Sequence, residues 1–346
     1  MNEDQLKRRA TVHDVARAAG VSLATVDRVL NGRPGVRPAT AEKVAAAIAA
    51  ISFQRDVSAS MLARARDLNV TFIIPDGSNE FMASLAEAVE RSMPQALADR
   101  LHIQMRRIEA LDAVALTRSL DELDPQHCDC AIIVASDAPT VRAAVDHATK
   151  REIVVLTLVS DLPGTMRHHF IGIDNQAAGR TAGSLLGRFL PAGGKVAVIA
   201  GSLQLRDHAD RLAGFQEVLG EEFPDIEIIG PLEGNDERAK TAAIVEAMLE
   251  EQPDLAGLYN LGAGNAGLVE ALAESGRAGA LRVVVHELTE PTRHGLQSGV
   301  IDVVLDQNPE GEIRAALAMA RVLALGNRAP DGEPIEIGIF LRDNLR

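Results

Sequence analysis

The chain changes its hydrophobic rhythm near residue 69. Before that point, apolar residues recur at helical spacing in short blocks. Val15, Ala16 and Ala19 fall on one face, then Val26, Val29 and Leu30, then Val44, Ile48 and Ile51. Beyond it, short apolar runs alternate with amphipathic helical stretches. The runs cover 70–74, 101–105, 130–135, 153–159, 170–174, 195–200, 226–230, 255–261, 281–287 and 300–306. This alternation predicts parallel sheets joined by crossover helices, and ten runs are too many for one ordinary sheet. The fold class is therefore read as α/β: an all-α N-terminal module, then a body with two parallel-sheet lobes.

The first two helical blocks lie in TVHDVARAAGVSLATVDRVLN, residues 11–31. Thr11 caps the first helix, with Asp14 closing a capping box. Gly20 ends it where a positive φ is wanted. Ser22 caps the second, and Asn31-Gly32 stops it. Two short helices joined by a tight Gly-containing turn are a helix-turn-helix, whose second helix enters the DNA major groove. A third helix is predicted from about Pro38 to Ile51.

This segment resembles the DNA-binding headpiece of the lactose-repressor (LacI) family of bacterial regulators. The family runs Thr-hydrophobe-x-Asp-Val-Ala, Ala-Gly-Val-Ser and Thr-Val-Ser-Arg-Val-Leu-Asn, and only Asp27 departs, standing where the family has Ser. The resemblance implies that Leu23, Ala24 and Arg28 face the bases, Arg28 as the base-reading donor. Leu23 and Ala24 have no donors and favour apolar contact such as a thymine methyl. Thr11, Ser22, Thr25 and Asn31 are short polar groups suited to phosphate oxygens. Asp27 is repelled where it faces phosphate, or it accepts from cytosine N4, or it orients a neighbouring basic side chain; Asp27→Ser is expected to tighten DNA binding, and weaker binding at fixed salt would refute this.

The following stretch resembles the family's hinge, with Ala59-Ser60-Met61-Leu62 matching its Ala-Arg-x-Leu element. The resemblance makes Leu62 the apolar wedge that enters the minor groove. Arg55, Asp56 and Ser60 depart from the pattern, and Arg64 and Arg66 supply nearby positive charge.

The body resembles the periplasmic sugar-binding-protein fold used by the same family. Predicted boundaries are a headpiece at 1–53, a hinge and linker at 54–68, and an effector-binding and dimerisation domain at 69–346. Within the last, one lobe takes 69–174 and 306–334, and the other takes 175–305 and 335–346. Ligands in such folds sit beyond the carboxyl ends of strands. Candidate effector residues at those places are Asp76, Asn79, Phe81, Asp137, Asp174, Arg211, Asn260, His286, Glu287 and Gln307. Asp174-Asn175 match the family's Asp-Asn, Arg211 sits in an Arg-x-x-Gly-Phe element, and Gln307 lies close to its Gln-x-Pro. Carboxylates, amides and an Arg together suit vicinal hydroxyls. Aromatic residues make up 3% with no Trp, which leans towards a small or acyclic polyol over a stacked ring.

Charge fits a division of labour. Residues 1–66 hold 11 Lys and Arg against 6 Asp and Glu, a balance of +5, within a chain of net charge −14. A basic module on an acidic body suits phosphate contact at one end only. The sequence shows no apolar run of membrane-spanning length and no apolar leader, so a cytoplasmic protein without membrane partners is expected. Cys128 and Cys130 lack the further ligands of a zinc site and read as reduced thiols, so no metal and no cofactor are expected.

One motif points elsewhere. Gly262-Ala263-Gly264-Asn265-Ala266-Gly267 is a literal GxGxxG after a strand, with Glu287 about twenty residues on, as in dinucleotide-binding folds. Alone it predicts an NAD-dependent oxidoreductase; behind a complete headpiece it is read as a turn in the body. GxSxG, HExxH and the P-loop are absent from the sequence. The reading is a non-enzymatic regulator, a repressor acting as a homodimer on a pseudo-palindromic operator. A small sugar or polyol switches it, and the competing non-enzyme class is a transport binding module.

Overall fold

The structure, a computed structural model, describes residues 12–30, 36–51, 66–77, 79–330 and 335–345, apart from the side chains of His13, Ala24 and Asp27. The described residues divide into two compact units, those within 1–67 with 322–330 and those within 68–321 with 331–346.

In the head, α1 (Val12–Ala19), α2 (Leu23–Leu30) and α3 (Pro38–Ala50) surround a small core. Val15, Val26 and Val44, one from each helix, are fully buried, with Ala16 and Ala47 beside them. Three valines at roughly 1.5–3 kcal/mol each are a modest apolar term, typical of so small a unit. Gly20 ends α1 at φ +64, as the turn requires. Ser22 Oγ accepts from the Thr25 backbone N–H at 3.2 Å and lies 2.9 Å from Thr25 Oγ1, tightening the start of α2.

The body holds two sheets. The first lobe's sheet has the order β2-β1-β3-β4-β5, all parallel, from β1 (Leu68–Asp76), β2 (Leu101–Glu109), β3 (Cys130–Ile133), β4 (Val154–Leu158) and β5 (His169–Ile171). Central strands β3 and β4 are buried at every position, as helices on both faces dictate. Edge strand β2 alternates instead, with exposed positions between half-buried ones. Helices α4 (Glu80–Ala98), α5 (Ala113–Asp121) and α6 (Pro139–Lys150) complete the layers.

The chain then passes to the second lobe through α7 (Asn175–Phe189). Its sheet has the order β11-β10-β9-β8-β6-β7. The strands are β6 (Gly194–Ala200), β7 (Ile226–Glu233), β8 (Leu255–Asn260), β9 (Arg282–His286), β10 (Val303–Asp306) and β11 (Gly338–Phe340). Helices α8 (Arg206–Glu222), α9 (Arg238–Glu251), α10 (Asn265–Glu274) and α11 (Glu290–Ser298) cover both faces. Helix α12 (Pro309–Ala324) returns to the first lobe, where Arg321 donates to the Asp99 carbonyl at 2.8 Å and Glu310 pairs with Arg91 at 3.3 Å. All ten apolar runs form strands. The eleventh, β11, pairs antiparallel with β10 and was not anticipated. At three residues on a sheet edge, it is too short to show a period.

Candidate effector cleft

Both sheets reverse their strand order next to their first strand, β1 in one lobe and β6 in the other. Loops beyond the carboxyl ends of such strands form the crevice of open α/β folds. Here the two crevices face each other. Among the described residues, hydrogen bonds from the loops of one lobe reach those of the other. Asn79 Nδ2 donates to Asp236 Oδ2 (3.1 Å), the Asp137 N–H to the Gln204 carbonyl (3.0 Å), and the Arg206 N–H to Ser160 Oγ (3.0 Å).

The cleft has an outer and an inner part. The outer part, about 400 Å³, is lined by Asp76, Asn79 and Ser136 from one lobe and Leu205 and Asp236 from the other. That is the volume range of small-molecule sites. The inner chamber, about 30 Å³, shares Asn79, Met82, Val134, Leu205 and Asp236 with it and adds Phe81, Asp207, Arg211, Glu287 and Gln307.

Arg211 anchors the inner chamber at 1% exposure. Its Nε donates to Asn175 Oδ1 and its Nη1 to the Leu261 carbonyl, both at 2.8 Å. Its Nη2 lies 3.6 Å from Glu287 Oε1, which also accepts from Gln307 Nε2 at 2.6 Å. The seating of Arg211 depends on how closely α7 and α8 cross. A Cβ at Gly179 would land on the Arg211 carbonyl, and one at Gly214 on the Gln176 carbonyl, so only glycine permits the approach. Glu287 and Asp236 sit at φ +72 and +58, and Val159, which also lines the chamber, at +67. Left-handed backbone at non-glycine residues, a β-branched one included, is strain of order 1–3 kcal/mol each, and such strain clusters at ligand clamps.

Burial pushes the Glu287 carboxyl up to about 8, with Arg211 opposing and Asp306 reinforcing the shift. Burial also raises Glu312, on α12, well above the usual carboxylate range, and Glu287 adds to that shift. The folded state therefore keeps protons that the unfolded chain releases above its ordinary value of 4.5. The sign follows: this stabilisation is full below pH 4.5 and is lost as pH rises towards 8, by at most about 1.4 kcal/mol per pH unit per group. In urea titrations from pH 5 to 8, the unfolding free energy is expected to decline, and Glu287→Gln/Glu312→Gln is expected to flatten that decline. An equal slope in the double variant would refute it.

The ten candidate residues divide. Asn79, Phe81, Arg211, Glu287 and Gln307 line the inner chamber, and Asp76 and Asn79 line the outer part. Four are placed elsewhere. Asp174 is exposed and caps α7, accepting from the Ala177 N–H, while its neighbour Asn175 holds Arg211. Asp137 faces away and is clamped by Arg142, whose hydrogen bonds hold its carboxyl below the usual range. Asn260 ties its own turn together, donating to the Ala263 carbonyl and Asn265 Oδ1. His286 points into the core, where Nε2 meets the Tyr259 hydroxyl at 2.8 Å and burial holds it neutral. Sequence reasoning missed Asp207, His208 and Asp236. Asp207 lies one helical turn before Arg211, an i, i+4 pair that RDHADR could have revealed.

The GxGxxG glycines have structural work. Gly264 starts α10 at φ +80, and a Cβ at Gly267 would strike the Arg238 carbonyl of α9. A pyrophosphate would need free N–H groups at this turn. The Ala263 N–H is taken by Asp236 Oδ1 at 2.8 Å and the Gly262 N–H by Asn260 Oδ1 at 3.3 Å. The Asp236 carboxylate also places negative charge against this turn, so the dinucleotide reading is set aside.

Of the DNA-facing candidates, Leu23 is 43% exposed, Arg28 is exposed, Ser22 is exposed and Thr25 half-buried. Thr11, Asn31 and Leu62, and the side chain of Ala24, lie outside the described residues, as do the hinge residues Arg55, Asp56 and Ser60 and the side chain of Asp27. None of the described helices is long and apolar enough to cross a membrane.

A helix-turn-helix head on a two-lobed body with a polar cleft defines a ligand-binding DNA-binding protein. The profile described as "Periplasmic binding protein domain" matches residues 70–328, and that described as "Bacterial regulatory proteins, lacI family" matches 11–56. The D-ribose/D-allose-binding protein of Pseudomonas aeruginosa is 26% identical over 249 residues, 69% of this chain and 76% of that protein. Catabolite control protein A of Priestia megaterium is 46% identical over 80 residues, 23% of this chain and 24% of that protein. A solved solute-binding protein of an ABC transporter from Burkholderia graminis, in complex with D-arabinose, superposes with TM-score 0.73 at 23% identity, covering 84% of this chain and 98% of that one. The chain belongs to the periplasmic-binding-protein domain family through its body and, with its head, is a LacI-family transcription regulator.

Proposed function

We propose that the protein is a repressor that binds a pseudo-palindromic operator as a homodimer and is switched by a small sugar or polyol in the interlobe cleft. One observation carries the reading. Arg211, Glu287 and Gln307, all under 5% exposed, converge on a cleft that two lobes close through Asn79–Asp236, Asp137–Gln204 and Ser160–Arg206. A neutral polyhydroxylated ligand suits such planar polar groups. The ribose/allose-binding relative supports a monosaccharide-sized ligand.

The switch is a coupling free energy between cleft and head. Ligand that binds only across both lobes favours their closed arrangement, and the partner's first lobe shifts with it. The hinge segments around Leu62 then pair, or fail to pair, in the minor groove. Two heads are needed because one reads a half-site. The protein works in the cytoplasm, where the DNA is, and its chemistry is binding alone.

The test uses the full chain and duplexes selected from a random library. Selected DNA is expected to be bound by a dimer and to respond to at least one sugar or polyol. A protein lacking residues 1–66 is expected to keep the ligand and lose the DNA. Specific DNA binding by the truncated body would overturn the assignment.

A further inference from the structure

We infer that the effector carries a protonated amine, seated in the inner chamber, on its polyhydroxylated frame; this rests on the sugar or polyol reading above and narrows it. The inference comes from counting polar atoms at the chamber wall. Asp207 Oδ1, Glu287 Oε2 and Gln307 Oε1 have no hydrogen-bond partner among the described residues, and neither has Arg211 Nη2. All four side chains are more than nine-tenths buried and line the same chamber. The Gln307 amide sets its Nε2 on Glu287 Oε1 at 2.6 Å, which leaves its Oε1 turned to the chamber. With Glu287 ionised, the wall offers three acceptors and one donor.

An ammonium donates three hydrogen bonds and accepts none, which matches the three acceptors and leaves Arg211 Nη2 for a hydroxyl oxygen of the frame. A hydroxyl donates one, leaving two buried acceptors unmet. A carboxylate or phosphate donates none and sets charge against Asp207 and Glu287. Each unmet buried polar group costs about 1–3 kcal/mol, more for a charged one. The room agrees: about 30 Å³ is the share of liquid volume of one water, the size of a single head group, and the outer 400 Å³ takes the frame.

Charge points the same way. Among the described residues, Arg211 and His208 are the basic side chains lining the chamber, against the carboxyl groups of Asp207, Asp236 and Glu287. Asp236 is already engaged by Asn79 and the Ala263 N–H. Asp207 has His208 Nε2 3.7 Å from its other oxygen, leaving Oδ1 for the ligand. Glu287, which burial and then Asp306 and Asp207 bias towards its protonated form, ionises as the ammonium enters, and its proton passes to solvent.

The test compares molecules that differ at one carbon. D-Glucamine, D-glucitol and D-gluconate, with the same triads on the galacto, manno, ribo and arabino frames, are titrated calorimetrically into the full chain at pH 7. On at least one frame the amine is expected to bind tenfold or more tighter than the alcohol, and the acid to show no binding. In Asp207→Asn and in Glu287→Gln, each checked by melting and by operator binding, the amine-to-alcohol ratio is expected to fall towards one. Alcohols that bind as well as or better than amines on every frame overturn the inference and leave the polyol reading standing. A preference unchanged in both variants also overturns it. If no member of any triad binds while operator binding is intact, the polyol reading falls with it.

Discussion

Arg211→Ala is expected to leave operator binding intact and to abolish its response to effector, with affinity for the small molecule falling at least about 100-fold. The guanidinium holds Asn175, the Leu261 carbonyl and Glu287 together, so it ties α7, the turn after β8 and the end of β9 into one wall. Its loss leaves the Asn175 amide oxygen and the Leu261 carbonyl without their donor and the buried Glu287 carboxyl without its ion-pair partner. Breaking one side of a buried pair in this way costs roughly 3–5 kcal/mol, so the body's melting temperature is expected to drop as well. Arg211→Lys separates the two effects. Lysine keeps the charge and much of the stem but cannot present three donors in a fixed plane. It is expected to recover most of the stability and little of the ligand affinity. Anisotropy on operator DNA with and without ligand, beside thermal melts, reads both. A lysine variant that responds to effector like the parent would show that Arg211 only holds the wall together. The head keeps its own core of Val15, Val26 and Val44 and is not expected to register the change.

What the sequence could and could not disclose follows from the geometry of buried parallel strands. β3 and β4 are apolar at every position, which makes them easy to find and hides which way each residue points. At the end of β9 the chain offers His286 and Glu287 side by side. Side chains alternate across the sheet, so one of the two faces the core, and the sequence does not say which. The structure puts His286 against Tyr259 and Glu287, beyond the strand at φ +72, into the chamber. The same ambiguity misplaced Asn260, whose amide is consumed by its own turn. Asp174 and Asn175 are another adjacent pair in which the capping residue was legible and the buried one does the holding. Arg211 was legible because it sits in Arg-x-x-Gly-Phe, whose Gly214 also fixes a helix crossing. Asp236 was hidden for a different reason. The β7 run reads as ending at residue 230, but the strand continues to Glu233 and carries the following loop into the cleft.

Arg28→Ala is expected to weaken binding to the selected operator by about 5- to 150-fold per half-site while leaving binding to unrelated duplex within a few-fold. Arg28 is exposed in the last turn of α2, the second helix of the head, and takes no part in its core. A guanidinium that donates twice to guanine O6 and N7 discriminates by about 1–3 kcal/mol, the source of that range. On the proposed dimer, with two half-sites, the loss on a full operator counts twice. The decisive measurement pairs the variant with operators changed at one base pair. Where Arg28 reads a guanine, one substituted position stops mattering in the variant and every other position keeps its penalty. Salt supplies the control. A phosphate-binding arginine weakens all duplexes alike and lowers the slope of log affinity against log salt by about 0.9 on its removal, whereas a base-reading arginine leaves most of that slope in place. Uniform weakening with a reduced slope would reassign Arg28 to the backbone. Leu23, also exposed on α2 and without a hydrogen-bond donor, would then be left as the described outward residue able to choose among bases.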